Sequence, residues 1–227
     1  MSSTPKITIT YWPMAGRVGP AIMALDYAKI PYERTDVSFA TWGADSQDLA
    51  RFPLGDIPVM DVDGRVLSES HAISHYAGVL TGLWPKDAFE SARALEVLLT
   101  IEEVMTGVWG CNYFKTLMLP HLNPDLTTEK QQELREGPFK SHLLFYARRI
   151  NEIIAHNGDN GFTVGNTLSV ADFAVWMIFI QFASGDTDFV PKTIFNEFTS
   201  MAKVFATVES IEGLKATLAS IKQEPGE

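Results

Sequence analysis

The sequence predicts an α/β domain followed by an all-helical domain. Three observations point there. Strand-type patterning occurs only in the first third of the chain. The elements there run strand–helix–strand and then strand–strand–helix. From residue 87 onward apolar residues recur only at helical spacing.

Residues 6–11, KITITY, alternate and are rich in β-branched side chains, so they predict a strand. Residues 17–29 follow with Val18, Ile22, Leu25, Tyr27 and Ala28 at helical spacing, and Pro20 suits the first turn, where a missing N–H costs nothing. Residues 32–37 predict a second strand, and a strand–helix–strand unit implies parallel pairing. Residues 57–61 and 66–67 predict two strands joined by DVDG, in which Asp63-Gly64 suits a tight hairpin. A helix over 68–80 completes the order of a thioredoxin-like domain.

The second part predicts helices over 89–108, 128–155, 169–182 and 211–221. The expected organisation is a first domain over 1–81, a linker over 82–86 containing Pro85, and a helical domain over 87–227. No repeat or low-complexity segment interrupts it.

Composition narrows the function classes. The chain has 227 residues, 46% of them hydrophobic, and carries 28 acidic against 18 basic residues for a formal charge of −10. That balance, with no Lys/Arg run, argues against nucleic acid or an anionic membrane surface as partner. The longest apolar run, residues 173–180, falls far short of the ~20 residues a membrane span needs. The single cysteine, Cys111, excludes an internal disulfide and multi-cysteine metal sites. The N-terminus shows neither a basic nor an apolar leader region. These features predict a soluble cytoplasmic protein.

Three patches carry chemistry: ITITYWPMAGR with its following helix, GDIPVMDVDGRVLSESHAI, and FTVGNTLSVADFAVW. In this order they resemble the first strand and active-site loop, the ligand-binding strand–turn–helix, and the helical-domain signature of the cytosolic glutathione transferases. The short first patch and the place of Trp42 are most like the tyrosine-type, sigma class of that family.

The resemblance implies glutathione as co-substrate, with no metal. It makes Tyr11 the catalytic hydroxyl and places Arg17 near the sulfur. A phenol donor aimed at a thiol with a reference pKa of about 8.5 favours the thiolate. The family holds the bond equivalent to Ile57-Pro58 cis, so that the backbone of Ile57 pairs with an extended peptide as an added strand would. Glu69 can accept from an ammonium. Ser70, with the free N–H groups of a helix start, suits a carboxylate; both groups sit on the γ-glutamyl end of glutathione. Trp42 and Arg51 are candidates for the glycyl carboxylate, with a core aromatic as the competing reading of Trp42. Asp56 stands on the glutathione side where the sigma pattern has lysine, and Gly19-Pro20 replaces the usual Ala-Glu.

For the second substrate the resemblance indicates an apolar wall of Met14, Met105, Trp109 and Tyr113, positions that would equally serve a core or a dimer face. It also implies a homodimer, in which Glu102 or Glu103 reaches glutathione on the other subunit. The expected activity is detoxifying conjugation of glutathione to apolar electrophiles. The alternatives are isomerisation of prostaglandin-type lipid endoperoxides, or a non-catalytic binding or structural role. Ser169 and Asp172 read as a helix cap. His71 and His75 are four apart, as metal ligands can be, but no third ligand follows nearby.

Overall fold

The computed structural model describes residues 4–110, 127–185 and 187–223. Strand β1, Ile7–Tyr11, buries Ile7 and Ile9 on one face, as its alternation requires. A 3₁₀ turn at Gly16–Val18 leads into α1, Gly19–Tyr27, with Pro20 in its first turn. Then come β2, Glu33–Asp36, and a short helix α2, Trp42–Asp45. Strands β3, Val59–Val62, and β4, Arg65–Ser68, form a hairpin closed by Asp63 and Gly64 at φ of 53° and 82°. Both turn residues have positive φ, as a twisted two-residue hairpin needs. Helix α3, Ser70–Thr81, ends on Gly82 in the left-handed conformation.

The sheet order is β2-β1-β3-β4, with β1 and β2 parallel and the other pairs antiparallel. This is a thioredoxin-like domain with a mixed sheet.

The rest is helical: α4, Ala88–Gly110; α5, Thr128–Leu134; α6, Lys140–His156; α7, Val170–Ala183; α8, Thr199–Glu209; and α9, Lys215–Gln223. Two points depart from the sequence expectation. The helix predicted over 128–155 is broken by a π-type turn at Arg135–Phe139, where Gly137 leaves helical φ/ψ and Pro138 follows it. Proline removes one ladder hydrogen bond and clashes with the preceding turn, so a continuous helix is not available. Helix α8 lies outside the segments the sequence predicts as helical, although Met201, Val204 and Val208 supply its buried stripe.

Helix α7 is buried nearly all round, from Val170 to Phe182, and is the axis of the helical part. Helix α1 lies between it and α3, so the two halves share one continuous core. The start of α7 is held by Asp172. Its carboxylate accepts from the N–H of Thr163 at 2.6 Å and from the N–H and hydroxyl of Ser169 at 2.7 and 3.1 Å. Burial pushes this carboxyl above its ordinary value, and those donors pull it back. The Val170 N–H also bonds Leu83 O at 3.0 Å, tying α7 to the segment that follows α3.

Among the described residues, no helix is long and apolar enough to cross a membrane.

Candidate active site

Strand register brings two of the three sequence patches to one end of the sheet. Thr10 pairs with Val59 across β1 and β3, so the next position outward sets Tyr11 beside Pro58. Val59 pairs with Ser68 across β3 and β4, so Pro58 and Ile57 run on toward Glu69 and Ser70. The Ile57-Pro58 bond is cis.

Tyr11 is 1% exposed, and its phenol oxygen accepts the Arg17 N–H at 3.3 Å. A phenol that accepts this bond keeps its own O–H to give elsewhere. Burial pushes its pKa above the ordinary value; the Arg17 N–H and the Arg17 charge pull it down, Asp56 pushes it up, and Arg34 pulls it down. The Tyr11 phenol is therefore neutral at physiological pH. Gly16, at φ of 38°, makes room for the ring: a Cβ there would lie 2.9 Å from Cε1 of Tyr11.

The loop between Tyr11 and Arg17 is braced from β2. Arg34 donates through Nη2 to the carbonyls of Trp12 and Met14, and through Nε to Asp36 at 3.1 Å. Trp12 stacks on Phe39 with ring centroids 4.0 Å apart, and Trp42 sits edge-on to both Trp12 and Phe52 at 5.6 and 5.0 Å. Arg51 places its guanidinium 4.9 Å from the Phe52 ring centre. Trp42 and Arg51 thus belong to one aromatic ladder leading away from Tyr11.

At the start of α3, Ser70 is buried and Glu69 is exposed, with φ 73° and ψ 119°. A non-glycine residue in that region costs about 1–3 kcal/mol. The bend sets Glu69 beside the first N–H groups of the helix.

Arg17 pairs with Glu102 of α4 within the same chain. The second oxygen of Glu102 accepts from Thr106 at 3.0 Å, and His71 Nε2 stands 3.9 Å from the first. Glu103 offers its backbone carbonyl to His142 at 3.2 Å. Met14 is half-buried against the core, and Met105 is buried on α4. Trp109 lies on α4, but its side chain and all of Tyr113 and Cys111 fall outside the described residues. His75 packs on Trp84 with centroids 4.5 Å apart. Among the described residues, no three His, Cys, Asp or Glu side chains converge to hold a metal ion.

Sequence reasoning missed two of these features. The brace from Arg34 and the pairing of Arg17 with Glu102 join residues 20 and 85 positions apart, which no local pattern signals. At Asp56, which the sequence places on the glutathione side, the structure adds that the carboxylate accepts the N–H of its neighbour Ile57 at 2.8 Å.

Comparison with known proteins agrees with this architecture. Residues 20–79 match the family model described as the glutathione S-transferase N-terminal domain, and residues 115–220 match the C-terminal domain. Together they take in well over half of the chain. The chain belongs to the glutathione S-transferase family.

Among curated proteins it is 29% identical over 170 residues to hematopoietic prostaglandin D synthase of Mus musculus, covering 74% of this chain and 75% of that one. It is 28% identical over 167 residues to probable glutathione S-transferase 7 of Caenorhabditis elegans, again covering 74% and 75%. Among solved structures, a nematode-specific glutathione transferase from C. elegans superposes with a TM-score of 0.79 at 21% identity, over 95% of this chain and 97% of that one.

Proposed function

We propose that this chain is a glutathione transferase of sigma type. It binds glutathione at the end of the sheet and directs its thiolate at an apolar electrophile. The observation that carries the reading is the convergence of Tyr11, the cis Ile57-Pro58 bond and the Glu69-Ser70 helix start in one place.

Each part has a task. The Ile57 backbone pairs with the cysteinyl peptide unit of glutathione as a further strand would. Ser70 and the N–H groups of α3 hold the γ-glutamyl carboxylate, and Glu69 takes the ammonium. Trp42 and Arg51 serve the glycyl end. The Tyr11 hydroxyl donates to the sulfur and stabilises the thiolate, helped by the charge on Arg17. The thiolate then attacks the electrophilic carbon and expels the leaving group.

Residues 1–81 carry the glutathione site, and residues 87–227 supply the second-substrate wall, with Met14, Met105, Trp109 and Tyr113 lining it. The working protein is a cytoplasmic homodimer and needs no metal. A second reading is supported by the likeness to prostaglandin D synthase: glutathione-dependent isomerisation of a lipid endoperoxide. The same thiolate would attack one peroxide oxygen as the O–O bond breaks and the other oxygen takes a proton; loss of the proton from the carbon bearing the sulfur-bound oxygen then forms the carbonyl, breaks the S–O bond and returns the thiolate.

The test is steady-state conjugation of glutathione to chlorodinitrobenzene by wild type and Tyr11→Phe. At least a tenfold loss is expected in the variant, about 1.4 kcal/mol of transition-state stabilisation. Equal activity in the two would remove Tyr11 from the reaction. If neither conjugates, product analysis with an endoperoxide substrate tests the isomerase reading.

A further inference from the structure

Asp56 stands immediately before the cis bond, at the edge where the sheet ends. Its Oδ1 accepts the Ile57 N–H at 2.8 Å, so this side chain occupies the donor that a peptide ligand pairing with Ile57 requires. A carboxylate is a stronger acceptor for an N–H than a peptide carbonyl, because charge-assisted bonds are shorter and roughly twice as strong. An incoming peptide carbonyl therefore has to displace a better acceptor than itself.

The same charge lies close to the reaction centre, because Asp56 shortly precedes Pro58, which strand register sets beside Tyr11. Asp56 opposes negative charge at the Tyr11 phenol, while Arg17 and Arg34 favour it. A thiolate bonded to that phenol lies in the same field, with two cations drawing it out and Asp56 working against it.

We propose that Asp56 is an affinity- and specificity-determining residue that acts against its own ligand: it caps the Ile57 N–H in the empty site and places a negative charge beside the position of the thiolate. This rests on the reading that Ile57 pairs with the peptide backbone of glutathione. The site is consequently tuned away from tight retention of anionic thiol peptides.

Two substitutions separate the effects. Asp56→Asn keeps an oxygen able to accept the Ile57 N–H but removes the charge. Asp56→Ala removes both. Calorimetric titration with glutathione and with S-methylglutathione measures affinity, and thiolate absorbance of bound glutathione against pH measures acidity. Asp56→Ala is expected to bind both ligands about three- to tenfold more tightly, the scale of one displaced hydrogen bond. Both variants are expected to form the thiolate at lower pH than wild type.

Wild-type glutathione binding with no gain in Asp56→Ala, or weaker binding in it, overturns the role of Asp56 and leaves the glutathione reading intact. Unchanged thiol acidity in Asp56→Asn overturns the electrostatic half. Absence of glutathione binding in wild type and both variants overturns the glutathione reading itself, and this role with it.

Discussion

Arg17 and Glu102 form an ion pair that joins the thioredoxin-like half to helix α4 beside the Tyr11 hydroxyl. Both side chains are partly buried, at 19% and 33% exposure, so the pair is screened less than a surface one. Glu102 was a candidate to reach across a dimer; within the chain it already holds Arg17. Glu102→Gln keeps an acceptor for Thr106 and Arg17 but removes the charge. The expected loss of stability is about 1 kcal/mol, shrinking at high salt. Without the carboxylate, more of the Arg17 charge acts on the sulfur, so bound glutathione should ionise at lower pH. Urea denaturation at low and high salt and thiolate absorbance read the two effects. An unchanged urea midpoint would mean that the pair does not tie the halves together.

His71 sits against this pair and carries a pH dependence. Burial pushes its pKa below 6.5, Glu102 draws it back up, Arg17 pushes it down and Glu69 draws it up. A histidine whose folded value is depressed favours the fold while neutral. Its contribution is present above the unfolded value and is lost as pH falls through the folded one. Wild type should therefore lose stability between about pH 7.5 and about pH 5.5 more steeply than His71→Asn. Urea midpoints at the two pH values decide it; parallel losses in the two proteins would remove His71 as the cause.

At Gly19 the packing leaves little room for a side chain. A Cβ at this position would lie 2.7 Å from Sδ and 2.9 Å from Cγ of Met177, where α1 meets α7. Its φ of −50° suits any residue, so contact with Met177 is what opposes alanine. Gly19→Ala should cost about 1–2 kcal/mol, the lower part of the overpacking range because methionine can give way. Combining it with Met177→Ala should recover part of that loss. Strictly additive effects in the double variant would show that the two residues do not press on each other.

Legibility of the sequence followed the range of the interactions. Alternation in KITITY, Asp63-Gly64 in the hairpin, and Pro20 in a first turn are local rules, and the structure obeys them. The break at Gly137-Pro138 is equally local, but apolar spacing continues on both sides of it and masks it. Tyr11, Ile57-Pro58 and Glu69-Ser70 stood out because their motifs are contiguous. The capped Ile57 N–H and the ion pair at Arg17 depend on where side chains turn in the folded chain. Neither has a spacing that a linear reading can recognise.

Arg34 is such a residue, and its role can be measured. From β2 it holds the carbonyls of Trp12 and Met14, the two ends of the turn that follows Tyr11. A planar guanidinium serves two carbonyls and Asp36 at once, which a lysine ammonium on its flexible stem does not reproduce. Arg34→Met keeps the stem and removes all three bonds. The bonds lie at a partly exposed edge, so stability should change by no more than ~1 kcal/mol. The turn, however, carries Met14 and leads from Tyr11 to Arg17, residues proposed to meet the second substrate and the sulfur. Displacing a positioned group by about 1 Å can cost up to about a hundredfold in rate, and a tenfold fall in kcat is expected, with KM for glutathione little changed. Arg34→Lys should recover only part of it. The Arg34 charge also pulls the Tyr11 phenol down, so its loss should move the alkaline limb of the rate profile upward. A variant that loses stability but keeps kcat and the pH profile would make Arg34 a structural brace only.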